Sequence, residues 1–304
     1  MEEIFLDIPS SNSWGIIKPI KEGWSDDLKY YIKSDNGTQF LLRISDSLSF
    51  EKESILYSAL GELNEKDILT SKLIDSGICN QGKNTFRIFS WIDGIEIKKE
   101  LNNFSEKEQY ELGLQAGLIL KEIHQIKSPE NRIGWNEFYN KKINTKIEKY
   151  KNCGIAIKKS AELIAYIETH RTLLKNRPQS FHHGDFHVGN MLVTPQKELA
   201  IIDFNRLDFG DPWEEFNRIT WTAEESVWFA NGQINGYFNN NVPPDFFNLL
   251  ALYIGVNQLG SIPWAIPFGE KQVKILLNQT ERIFEWFDNF TQAVPSWYQP
   301  IDEI

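Results

Sequence analysis

Apolar positions come in short strand-like runs over the first third of the chain and at helical spacing over the rest. Lys29–Lys33 (KYYIK) is an aromatic, β-branched run that suits a pleated, half-buried surface. Asp35-Asn36-Gly37 is a turn signal, and Gln39–Ile44 (QFLLRI) reads as the second arm of that hairpin. A helix is predicted over Phe50–Leu63, where Ile55, Leu56, Ala59, Leu60 and Leu63 recur at helical spacing. Thr85–Ile92 (TFRIFSWI) is a further strand, stopped by Asp93-Gly94. From about residue 105 helices predominate. Ser105 and Glu108 form a capping box ahead of the run Tyr110–Ile126. Another helix is predicted over Ala156–Lys175, ending before Pro178. Phe181–Thr194 reads as a loop and a strand, and Leu199–Phe204 (LAIIDF) as a short buried strand ending in a carboxylate. Helices resume near Pro212, with NGYFNNNVPPDFF and SIPWAIPFGE as loops between them. The order is a small sheet lobe over residues 1–92, a connector at about 90–94, and a helical lobe over 95–304. Two lobes with a cleft between them suit an enzyme that closes over its substrate.

Composition narrows the class. The chain has 304 residues, 41% hydrophobic and 24% charged, which are ordinary globular values. A pI near 5.1 argues against nucleic acid as a partner. The opening MEEIFLDIPS shows no signal peptide, and no uninterrupted apolar stretch approaches the ~18 residues of a membrane span. Two cysteines without CxxC spacing, Cys79 and Cys153, suggest neither a disulfide framework nor a zinc site. A cytoplasmic setting is the resulting expectation. Net charge is −10 and uneven: residues 191–304 hold 6 basic and 15 acidic side chains, together with six of the ten tryptophans. An acidic, aromatic block is either a solvated surface over a core or a site for a cationic ligand.

The chemistry concentrates in His183-Gly184-Asp185-Phe186-His187-Val188-Gly189-Asn190, followed 13 residues after Asn190 by Asp203. Two carboxylates and an amide on neighbouring turns are what phosphoryl transfer needs: one carboxylate for the acceptor hydroxyl, and oxygen ligands for Mg²⁺.

On these motifs the sequence resembles the aminoglycoside phosphotransferase (antibiotic kinase) family. HHGDFHVGNMLV is similar to its catalytic loop, IIDFNRLDFGDPWEEF to its metal segment, AGLILKEIHQI to the helix supporting that loop, and GWSDDLKYYI to its nucleotide-covering hairpin. The resemblance implies an α+β, protein-kinase-like, two-lobed fold: a small N-terminal antiparallel sheet with one helix, and a larger, mainly helical C-terminal lobe. It implies transfer of the γ-phosphate of ATP or GTP to an alcohol, with Mg²⁺ as cofactor. Asp185 would be the catalytic base, His187 would sit beside it, and Asn190 and Asp203 would ligate the metal. Gly23 and Ser25 would touch the phosphates, and the backbone of Ser90 and Ile92 would read the base. The family's strand lysine is replaced here by Arg43, whose fork also binds phosphate. Glu53 would be its partner, with Glu51 as the fallback. A cationic, aminoglycoside-like acceptor would meet Asp208, Glu214, Glu215, Glu224 and Glu225, with Asp302 and Glu303. Antibiotic resistance is the associated role. Other acceptors remain open (a macrolide, choline, homoserine or a sugar-like alcohol), as does a nucleotide-binding regulator without turnover.

Overall fold

The structure, a computed structural model, describes residues 3–21, 27–46 and 50–300, and their side chains except those of 50–54. The chain forms two compact units, one of Met1–Ile95 with Leu192–Phe204, the other of Glu96–Met191 with Asn205–Ile304.

The first unit is built on a five-stranded antiparallel sheet in the order β1-β2-β3-β5-β4. Its strands are β1 (Trp14–Ile20), β2 (Leu28–Ser34), β3 (Gln39–Asp46), β4 (Leu73–Cys79) and β5 (Asn84–Ser90). The β2–β3 turn falls where Asp35-Asn36-Gly37 predicts it: Gly37 has φ 90°, and Asn36 Oδ1 accepts the Thr38 N–H at 2.9 Å. Helix α1 (Phe50–Asn64) follows β3. The patterns of β1 and β4 are weak because both are edge strands. β1 tolerates Pro19, and β4 needs Gly77, where a Cβ would stand 2.8 Å from the Phe86 ring. Tyr30, Ile32, Leu42, Ile44, Phe86 and Ile88 bury one sheet face against Phe5, Ile8 and Trp14. Strand alternation puts Arg43 and Arg87, register partners on β3 and β5, on the opposite face.

Residues 192–204 join this unit through β9 (Leu199–Ile201). Ile201 N donates to Leu69 O at 3.0 Å, and Ser71 N donates to Ile201 O at 3.1 Å. The boundary drawn from the sequence put these residues with 95–304. Long-range backbone bonds, which no local pattern reveals, put them with the first unit.

The second unit is helical. β6 (Ile95–Glu96) straddles the boundary, and the second unit contains α2 (Ile97–Glu100), α3 (Glu106–Ile123), α4 (Trp135–Asn152), α5 (Ser160–His170), α6 (Ile219–Glu225), α7 (Val227–Phe238), α8 (Phe246–Ala265) and α9 (Glu270–Trp286). Strands β7 (Ser180–His182) and β10 (Asp208–Gly210) pair antiparallel, and β8 (Met191–Val193) precedes β9. The Ser105–Glu108 capping box is formed at the start of α3.

Several elements differ from the pattern-based reading. α4 is a lysine- and asparagine-rich helix whose buried stripe of Trp135, Tyr139, Ile143, Ile147 and Tyr150 is narrow, so polarity masks its period. The predicted helix over Ala156–Lys175 is shorter, because Lys159 is left-handed at φ 60° and the last turn, Arg171–Leu174, tightens to 3-10. The NGYF segment lies in α7, and α8 runs through Pro263 to Ala265, so both presumed loops are partly helix. The stretch Phe246–Phe268 is long and apolar enough to cross a membrane, but it is mostly buried inside the protein, as a core helix would be.

α3 and α7 cross at backbone contact. A Cβ on Gly117 would lie 2.3 Å from Gln233 O, and one on Gly236 2.3 Å from Leu114 O, with Gly113 and Gly232 equally tight. Helix propensity alone predicts that Gly117→Ala gains up to ~1 kcal/mol. Overpacking against backbone predicts a loss of ~1–3 kcal/mol. Thermal or denaturant unfolding of the variant is expected to show the loss, and a Tm at or above the parent's would refute the close crossing.

Candidate active site

Gly184 has φ 83°, and a Cβ there would fall 1.8 Å from the Arg206 carbonyl oxygen, so only glycine lets the chain turn sharply before Asp185. Phe186 and Val188, each 1% exposed, anchor the loop in the core.

A buried carboxylate holds this turn. Glu215 accepts the backbone N–H groups of His183 at 3.0 Å and Gly184 at 2.5 Å, and meets His124 Nε2 at 3.1 Å. His124 Nδ1 lies 2.9 Å from the Tyr237 hydroxyl. A neutral His124 ring, donating at Nε2 and accepting at Nδ1, satisfies both bonds. Burial lowers the His124 pKa, against the raising pull of Glu215. Burial also raises that of Glu215, but His124, His182 and His183 outweigh it and hold the carboxyl down to about 2. His124 ends α3 and Tyr237 lies on α7, so the glycine crossing sets the spacing of this chain of contacts.

The Asp185 carboxylate is partly exposed. Arg218 Nε lies 3.1 Å from Oδ1, while Arg206 Nε at 3.9 Å and His187 Nε2 at 3.8 Å face Oδ2. Burial raises its pKa, but His187 and the two arginines prevail and hold it well below the usual carboxylate range. His187 Nδ1 accepts the Gly189 N–H at 3.0 Å, which leaves Nε2 to carry the proton facing Asp185. Asn190 Nδ2 donates to the Asp185 carbonyl at 2.8 Å, so its Oδ1 is the atom available to a cation. The loop thus brings together Asp185, His187 and Asn190, and presents an ionised acceptor beside a hard oxygen donor.

In the first unit Asp203 follows β9 with φ 67°, a left-handed residue rather than the strand end that LAIIDF suggests. Its carboxylate pairs with Arg43 Nη1. Arg43, 3% exposed, is also gripped by Asp27, which sequence reasoning missed. Gly23 and Ser25, the side chains of Glu51 and Glu53, and Asp302 and Glu303 lie outside the described residues. Ser90 closes β5, exchanging bonds of 2.8 Å with Lys72, and Ile92 follows in an irregular stretch over residues 91–94.

Among the described residues, the acidic ones assigned to the acceptor are already engaged. Asp208 pairs with Arg132 at 3.0 Å, Glu214 with Lys142 at 2.9 Å, Glu224 with Arg282 at 2.6 Å, and Glu225 with Lys98 at 2.8 Å. Glu215 holds the loop. Arg206 and Arg218, the charges that flank Asp185, were missed. Nothing in their spacing marks them, since only the fold returns them to the loop.

Comparison with solved structures shows the same α+β, protein-kinase-like fold. Aminoglycoside phosphotransferase APH(4)-Ia, as a thermostable mutant, superposes with a TM-score of 0.66 at 18% identity, covering 93% of this chain and 98% of that one. The amicoumacin kinase hAmiN, in complex with AMP-PNP, Ca²⁺ and Ami, gives 0.64 at 13% identity, covering 95% and 92%. The gentamicin complex of APH(2″)-IIa gives 0.59 at 16%, covering 92% and 93%. No curated protein sequence matches the chain. The family model of the phosphotransferase enzymes matches residues 16–247, most of the chain and all of the Asp185–Asn190 loop. With a loop arranged around an ionised Asp185, the chain belongs to the APH phosphotransferase enzyme family, enzymes that transfer phosphate to a small-molecule hydroxyl.

Proposed function

We propose that this protein is a cytoplasmic, Mg²⁺-dependent kinase. It transfers the γ-phosphate of ATP or GTP to a hydroxyl of an aminoglycoside-like antibiotic, and so confers resistance. The observation that carries the reading is the Asp185–Asn190 loop, in which one partly exposed, ionised carboxylate stands beside an amide whose nitrogen is already committed. Asp185 orients the acceptor hydroxyl and takes its proton. His187 keeps its Nε2–H toward that carboxylate. Asn190 Oδ1 and the Asp203 carboxylate are the hard oxygen donors that suit Mg²⁺. When bound, the metal neutralises phosphate charge. The base contacts fall to Ser90 and Ile92. Two structural neighbours are ternary complexes of an aminoglycoside phosphotransferase with hygromycin B and with ADP or AMP-PNP, which supports a nucleotide donor and a small-molecule acceptor.

A second reading keeps the chemistry and changes the acceptor to another small alcohol. It is favoured by the pairing of Asp208, Glu214, Glu224 and Glu225 with cations, which leaves them poorly disposed to grip a polyamine. Steady-state phosphate transfer from ATP and GTP to kanamycin, gentamicin, hygromycin B, erythromycin, choline and homoserine separates the two. The first reading expects turnover with an aminoglycoside and loss of it on chelating Mg²⁺. Turnover confined to erythromycin, choline or homoserine establishes the second.

A further inference from the structure

Arg43 on β3 and Arg87 on β5 are both nearly fully buried, 3% and 7% exposed, and stand opposite each other in the register. Asp27, one residue before β2, reaches both. Its Oδ2 accepts from Arg43 Nε at 3.0 Å and Nη2 at 2.9 Å, and lies 3.4 Å from Arg87 Nη2. Its Oδ1 accepts from the Ser45 hydroxyl at 2.8 Å, and Ser45 Oγ accepts from Arg87 Nη2 at 2.8 Å. One carboxylate therefore fixes the plane of one guanidinium and the reach of a second. The Arg43 edge turned away from Asp27 carries Nη1, which meets the oxygen anion of Asp203.

We propose that Asp27 is the positioning carboxylate of an arginine anchor, holding Arg43 and Arg87 together as a paired site for the phosphates of the nucleotide. An arginine side chain gives up rotamer entropy when it binds, and a fork held along its Nε edge by a carboxylate has already lost most of it before an anion arrives. Phosphate oxygens suit such a fork. Lysine would need no partner along its stem, whereas arginine at this strand position needs one level with Nε, and Asp27 is placed there. The proposal rests on the nucleotide-dependent reading above.

Calorimetric affinities for ATP and GTP, and for the nucleoside of whichever binds, test it in the full chain. Asp27→Asn is expected to weaken triphosphate binding by about 10-fold, the scale of one charge-assisted bond, and to leave nucleoside binding unchanged. Arg87→Met is expected to weaken triphosphate binding in the same selective way, and Asp27→Glu to recover part of the loss. Triphosphate binding by Asp27→Asn within twofold of the parent overturns the proposal. So does an equal loss of triphosphate and nucleoside, which marks a structural role only. If Asp27→Asn fails to fold, the Arg87→Met comparison decides on the same criteria. A parent that binds no nucleotide overturns the kinase reading and this proposal with it, whereas a parent that binds well beside an unaffected Asp27→Asn overturns this proposal alone.

Discussion

Asp185→Asn is expected to lower phosphate transfer by about 10²–10⁴-fold, the range of a lost general base, with nucleotide affinity little changed. Asparagine keeps the shape and can still accept a hydrogen bond, but it cannot take a proton at neutral pH. It also removes the anion that Arg218 and Arg206 face, and so leaves two cations beside the acceptor hydroxyl. Single-turnover measurements with saturating nucleotide isolate the transfer step. Transfer at the parental rate would remove Asp185 from the chemistry. The pH profile adds a check with a definite sign. Asp185 is held well below the usual carboxylate range, so it is ionised throughout the neutral and mildly acidic region. The parental rate should show no acid limb from this group above about pH 4, because a lowered carboxyl pKa moves the loss of the active form to lower pH. An acid limb near pH 6 belongs to another group.

Glu215→Ala is expected to be the most damaging substitution to stability, at about 3–5 kcal/mol, the cost of leaving three donors without their charged acceptor. It strands the His183 and Gly184 N–H groups and removes the partner of His124, and the Glu215 side chain is itself 1% exposed. Activity should fall in the fraction that remains folded, since the turn before Asp185 loses its hold. The dependence on pH has a fixed direction. The folded pKa of Glu215 lies near 2, below its ordinary value of 4.5. Its contribution is present in full above about pH 4.5 and is lost as pH falls through about 2. The Tm gap between parent and variant should therefore narrow on acidification from pH 7 toward pH 3. A gap that stays constant would mean that the loss is one of packing and not of the charge.

The hairpin around Gly37, the capping box at Ser105 and the H-G-D-x-x-x-x-N loop are local events, and each is visible in the sequence for that reason. A turn needs a residue that adopts positive φ, a helix start needs an acceptor for its free N–H groups, and a metal-dependent transfer needs oxygen donors near one another. α4 was hidden by its own surface, since lysine and asparagine outnumber its single buried stripe. The partners of the acidic residues assigned to the acceptor were hidden because charge in a sequence carries no partner. Glu214 and Lys142 are 72 positions apart, and Asp208 and Arg132 are 76, yet each pair is an ion pair in the fold.

The sequence by itself determined the β2–β3 hairpin, the capped start of α3 and the H-G-D-x-x-x-x-N loop, because each is written in residues close together along the chain. The tertiary structure alone decided that residues 192–204 belong to the first unit, that Glu215 holds the loop and does not face a substrate, that Arg206 and Arg218 flank Asp185, and that Asp27 grips Arg43. Each of these is a long-range contact whose energy depends on burial and geometry, and neither exists until the chain has folded back on itself.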